Sequence, residues 1–187
     1  MSLWKGNFKK GGYTSGEKAL TPAEYQKLLS VIPNIEHELL IRLAIAGGFR
    51  REDIVNINIA DIDFNENKIR FYEHKKDIIR EVYVPDSIML LIKKVLATKK
   101  KGEKKLFSFS GRTAYNIFQR YCKIAGIPPR PFHALRATCI KFCQLAGWTA
   151  EQTAKHVGDR ISTIQQHYTT PSSDEMRELV KTKGGFA

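Results

Sequence analysis

The chain has 187 residues, enough for one domain with a real core, and 42% of them are apolar. Thirty-one Lys and Arg face nineteen Asp and Glu, for a net charge of +12. That excess favours a polyanionic partner, because neutralised phosphates release their counterions. No run approaches the roughly 20 apolar residues of a membrane span and no secretory signal opens the chain. A soluble cytoplasmic protein with no membrane partner is therefore expected. Cys122, Cys139 and Cys143 form no Cys-x-x-Cys pair, so they read as buried side chains in a reducing compartment, and no metal site is expected.

In chain order, residues 1–20 hold four glycines and four lysines without periodicity and read as a flexible basic lead-in. Thr21-Pro22-Ala23-Glu24 is a capping box that starts a helix to about Ile32. An apolar helix from Asn34 to Ala46 ends at Gly47-Gly48, and a short one runs from Arg51 to about Ile57. Lys68–Glu73 and Arg80–Val84 alternate as paired strands do, with His74–Ile79 as the turn and Asp61–Phe64 as a further edge. Asp86 is expected to cap a helix to Ala97, followed by the lysine-rich loop Thr98–Lys105 and a short apolar stretch, Leu106–Phe109. Helices then follow from Thr113 to Ala125 and from His133 to Gly147. Thr149-Ala150-Glu151-Gln152 is a second capping box, whose helix ends at Gly158. A helix holding Thr163–Tyr168 and a C-terminal helix to about Thr182 complete the chain. The fold class is mainly α with a small antiparallel sheet, an α+β domain over 21–171 followed by a tail, 172–187.

Three segments carry chemistry. Gly47-Gly48-Phe49-Arg50-Arg51 sets a cation beside the free N–H groups of a helix start, a combination that binds phosphate oxygens. In His133-Ala134-Leu135-Arg136, positions three apart share a helix face, which pairs a proton-transferring group with a phosphate clamp. In the third, Tyr168 lies ten residues beyond Gly158 and is followed by Thr-Thr-Pro-Ser rather than by further core. Each has a plainer reading alone, as a helix corner, a capping histidine and a half-buried tyrosine.

Taken in order, the segments resemble the tyrosine recombinase (phage-type integrase) family over about four-fifths of the chain, from Leu20 to Tyr168. That family reads Gly-Leu-Arg-Ile-Ser-Glu-Leu, then a hairpin Lys, then His-x-Leu-Arg, then Leu-Gly-His with the nucleophilic Tyr ten residues after the Gly. Gly48-Phe49-Arg50, Asp53, Ile57 and Asp61-Ile62-Asp63 match the first block, and His133, Leu135 and Arg136 match the third. The resemblance implies the recombinase catalytic-domain fold and site-specific DNA recombination, integration or excision, without metal, ATP or other cofactor.

By the same resemblance, Tyr168 attacks the scissile phosphate of double-stranded DNA to give a 3′-phosphotyrosine. Arg50 and Arg136 hold the non-bridging oxygens, and His133 assists proton transfer. Lys75 protonates the leaving oxygen, with Lys76 the alternative in the same hairpin; strand alternation from Ile69 through Phe71 and Glu73 favours Lys75. Lys76, Arg51, Arg130 and Arg160 are expected on the DNA. Recombinases act as tetramers on paired sites, so self-association is implied, with the C-terminal helix (Met176, Leu179, Val180) docking on a neighbour or on its own domain. Family members generally carry an N-terminal DNA-binding domain, so this chain reads as a fragment, associated with the nucleoid.

Two positions depart from the pattern. Asp159 stands where His or Trp usually donates to the phosphate, and is expected to pair with Arg136 or Arg160 or to turn away. Asp53 replaces the usual Glu and is expected to brace a catalytic Arg. Two other functions compete with recombination: a non-catalytic helix-turn-helix regulator over Thr149–Tyr168, and a type IB topoisomerase-like enzyme.

Overall fold

The computed structural model describes residues 18–167 together with Arg177, Val180 and Lys181. In chain order it runs α1 (Pro22–Ser30), α2 (Ile35–Gly47), α3 (Arg51–Val55), a 3-10 turn (Ile59–Asp61), β1 (Ile62–Asp63), β2 (Lys68–Glu73) and β3 (Ile78–Tyr83). Then come α4 (Asp86–Leu96), α5 (Gly111–Ile124), α6 (His133–Leu145), α7 (Ala150–Val157) and α8 (Ile161–His167). The mainly helical class with one small sheet is as the sequence implies. Tyr168 lies outside the described residues, as does the C-terminal helix except for Arg177, Val180 and Lys181, whose backbone is helical.

Helix α2 is the centre of the core. Leu39, Leu40, Ile41, Leu43 and Ala44 are fully buried, while the Glu38–Arg42 pair keeps one side of the helix partly exposed. It packs on α4 and α6. A second cluster, Ala137, Cys139, Ile140, Cys143, Ala154, Val157 and Ile164, joins α6 to α7 and α8. Core packing reaches into the expected lead-in: Leu20 is 1% exposed, and its N–H donates to Thr138 Oγ1 at 2.8 Å.

Both capping boxes form, at Thr21–Glu24 and Thr149–Gln152. The expectation at Asp86 needs correction. Pro85 occupies the N-cap position and Asp86 is the first helical residue, where its charge still favours the positive end of the helix dipole. The sheet is antiparallel in the order β1-β2-β3, with Glu73 opposite Ile78. The second strand starts two residues earlier than its composition suggests. Asp77, at φ 55°, closes the turn in the left-handed region that Asp tolerates better than most residues.

Candidate functional site

Gly48 ends α2 at φ 60°, a left-handed cap that turns the chain sharply toward Arg50. The Phe49 ring folds back so far that a side chain on Gly47 would overlap it. Phe49 then packs on Phe71 of β2, ring centroids 4.7 Å apart. This locked corner leaves Arg50 as the N-cap residue of α3, where one of its guanidinium nitrogens donates to Glu73 Oε1.

Arg136 is 1% exposed. Its Nη1 donates to the Gly48 carbonyl at 2.6 Å and its Nη2 to Asp159 Oδ2 at 3.0 Å. One backbone group thus ties the α6 arginine to the corner that presents Arg50. Burial, and then the charge of Arg50, press the Arg136 guanidinium below its ordinary value, while Asp159 opposes them. For Asp159 burial pushes upward, but the hydrogen bond and charge of Arg136 outweigh it, and the carboxyl lies below its usual range. Its other oxygen accepts from the Arg160 N–H at 3.0 Å. Of the alternatives open for Asp159, pairing with Arg136 is the one found.

His133 begins α6, and its ring remains reachable by solvent. Crowding by the surrounding wall strips hydration from the ring, and Arg136, Lys18 and Arg50 add positive charge. Both effects hold its pKa below the ordinary histidine value. An open cleft of about 440 Å³ is lined by Arg50, Arg51, Asp53, His74, Lys75 and His133, among others. Buried Arg136 is not among the residues that line this cleft.

The two hairpin lysines differ. Lys75 lines the cleft, whereas Lys76 Nζ donates to the Gly158 carbonyl at 2.6 Å. Ile69, Phe71 and Glu73 do share the buried face of β2, but Lys75 sits in the turn, where strand alternation no longer applies. Asp53 also differs from expectation. It is 3% exposed and accepts from the backbone N–H of His74 at 3.1 Å, with the His74 ring Nδ1 at the same distance. It therefore holds the hairpin turn against α3, and the arginine brace falls to Glu73.

Of the remaining cations, Arg51 pairs with Glu52 at 2.9 Å on the surface, and the Arg160 side chain is exposed. Arg130 instead makes a bidentate pair with Glu24, both contacts 2.8 Å, fastening the Pro-rich segment to the start of α1.

A family model described as the phage integrase family matches residues 18–175. The chain belongs to that family. Tyrosine recombinase XerA of Saccharolobus solfataricus is 32% identical over 160 residues, covering 86% of this chain and 54% of that protein. XerA of Pyrococcus furiosus is 26% identical over 175 residues, covering 88% of this chain and 61% of the other. The chain thus spans about half to three-fifths of these curated relatives.

Among solved structures, a XerA recombinase superposes with a TM-score of 0.74 at 20% identity, over 87% of this chain and 64% of that one. XerH site-specific recombinase bound to its difH substrate gives 0.69 at 18% identity, over 87% and 53%. These likenesses establish the integrase catalytic-domain fold. Within it, Glu73 and Arg80 are the residues that reading the sequence left without a role. Glu73 carried one signal, a charged residue on the buried face of an alternating strand. Arg80 carried none.

Proposed function

We propose that the chain is the catalytic part of a site-specific tyrosine recombinase that cuts and rejoins double-stranded DNA. The observation that carries this reading is the joining of two arginine segments 88 residues apart, through the bond from Arg136 to the Gly48 carbonyl, beside a cleft that holds Lys75 and His133. Fixed cations around one phosphate are what phosphoryl transfer requires, since the charge that develops on the non-bridging oxygens needs preorganised donors.

In the reaction, the Tyr168 oxygen forms a bond to phosphorus as the bond from phosphorus to the 5′-oxygen breaks. The tyrosine proton passes toward His133, which is poised neutral. Lys75 gives a proton to the leaving oxygen. The phosphotyrosine retains the energy of the cut linkage, so reversal by a 5′-hydroxyl reseals the strand without an external energy source. Tyr168 follows α8 directly in sequence, and Asp159 sits at the other end of the same segment. Arg136 is buried, so a phosphate that reaches it shares or displaces the Asp159 carboxylate. Lys76, Arg51 and Arg160 add positive charge around the cleft for the DNA backbone. Self-association on paired DNA sites and association with the nucleoid belong to the same reading.

The test is covalent capture. Duplexes with a nick next to the cut position, drawn from a pool of sequences, are incubated with the chain and resolved under denaturing conditions. A protein–DNA adduct whose mass maps to Tyr168, and which is lost in Tyr168→Phe, is the expected result. Site-dependent binding with no adduct from any sequence in the pool would instead mean a non-catalytic DNA-binding protein.

A further inference from the structure

The hairpin carries a buried charge network that recombination chemistry as described above does not use. Glu73 ends β2 with its side chain fully buried. One carboxylate oxygen accepts from Arg50, and the other accepts from Arg80 Nη1 at 2.8 Å. Lys76 Nζ stands 3.8 Å from the first oxygen. Three cations around one carboxylate outweigh its burial, and its pKa is held below the ordinary glutamate value.

Arg80 reaches further. Its Nη2 donates to the His156 carbonyl at 2.8 Å and its Nη1 to the Val157 carbonyl at 3.0 Å. Lys76 takes the next carbonyl, that of Gly158. Three consecutive carbonyls at the C-terminal end of α7 are thus satisfied by two cations of the hairpin. Those are the groups a helix end leaves unpaired, at the negative pole of its dipole. The guanidinium is itself held in place, lying 5.2 Å from the centroid of the Phe71 ring across the strand pair. Gly158 makes the approach possible: at φ 65°, a Cβ there would fall 2.2 Å from Arg80 Cζ.

We propose that Glu73 and Arg80 are positioning residues for strand cleavage. They orient Arg50 and fix the hairpin that bears Lys75 to the end of α7, from which the chain runs through Asp159 to Tyr168. This rests on the recombinase reading of the site. Glu73 sets the direction of the Arg50 guanidinium by charge and hydrogen bond, and leaves its remaining donors for the phosphate. Arg80 carries that alignment to the segment from which the nucleophile comes, so neither residue needs to touch DNA.

Glu73→Gln tests this, because it keeps the shape and removes the charge. In single-turnover capture on the nicked duplex, the rate of adduct formation should fall about 10- to 100-fold, the cost of misaligning a reacting group. The final amount of adduct and the affinity for uncleaved duplex should stay within about threefold of the parent chain. A purely structural role would lower the amount and leave the rate of the folded fraction unchanged. In an Arg50→Lys background, Glu73→Gln should add little further loss, because the effect runs through Arg50. Arg80→Lys, which keeps the charge but cannot span two carbonyls, serves as a milder variant and should lose rate in the same direction.

Hydrogen exchange provides an arm that needs no activity. The amide of Asp159, bonded to the Ala154 carbonyl at 2.9 Å, should exchange faster in both variants, with the amides of α2 unaffected. If the parent chain forms no adduct on any DNA, the recombinase reading fails and the exchange arm still judges the coupling. Unchanged rate in Glu73→Gln, or unchanged exchange at Asp159 in both variants, overturns the proposal.

Discussion

Replacing Asp159 with Asn probes the bond that most distinguishes this site. The pair is 3.0 Å long, with Arg136 1% and Asp159 21% exposed at the side chain. Removing one partner of a fully buried pair costs about 3–5 kcal/mol, because the other charge is left uncompensated, whereas exposed pairs contribute about 0–1 kcal/mol. Asp159 is partly solvated and Asn retains an acceptor oxygen, so the loss at pH 7 should be about 1.5–3 kcal/mol. For a domain of this size that lowers Tm by about 3–12 °C. Urea and thermal unfolding followed by circular dichroism measure both quantities.

The pH dependence gives a second check on the same substitution. Asp159 has a depressed pKa in the folded state. Its contribution is therefore complete above the unfolded value of about 3.9 and drains away as pH falls through the folded one. The gap between the two proteins should be constant from pH 7 to about pH 5 and close on further acidification. A loss under about 0.5 kcal/mol at pH 7, or a gap that widens in acid, would refute the idea that this ion pair holds Arg136 in place.

Gly158→Ala should destabilise by more than about 1 kcal/mol, since the left-handed backbone is strained for Ala and the new methyl meets Arg80; urea unfolding measures it. Leu40, fully buried in α2, should cost about 2–5 kcal/mol as Ala in the same assay, with the size set by how far the core closes around the void. The rate of adduct formation should stay flat as pH falls from 8 to about 6.5 and drop only below that, because His133 is held beneath its ordinary value. A decline already complete by pH 7 would mean that another group controls the rate.

Much of the fold is written locally. Thr21 and Thr149 announce their helices because a side-chain oxygen and a Glu or Gln three positions on satisfy the same free N–H groups wherever they occur. Gly48 and Gly158 mark helix ends because few other residues enter the left-handed region cheaply. The order Arg50, hairpin lysine, His133–Arg136 was equally readable as a resemblance, and the family match spans residues 18–175, which include all of them. Boundaries set by pairing were less so. The start of β3 at Ile78 depends on its partner Glu73, and a strand edge has no local cap to reveal it.

What tertiary structure alone decided is which charges meet. Asp53 and Glu73 are both acidic, both buried and twenty residues apart, and spacing cannot tell which of them faces Arg50. The three-dimensional arrangement sends Asp53 to the hairpin turn and Glu73 to the arginine. It also turns Arg80 from a plain strand residue into the link between the sheet and the end of α7. Hydrophobic periodicity and caps act over a few residues and can be read along the chain. A buried carboxylate takes whichever cations the packed core brings within about 3 Å, and only the completed fold determines which those are.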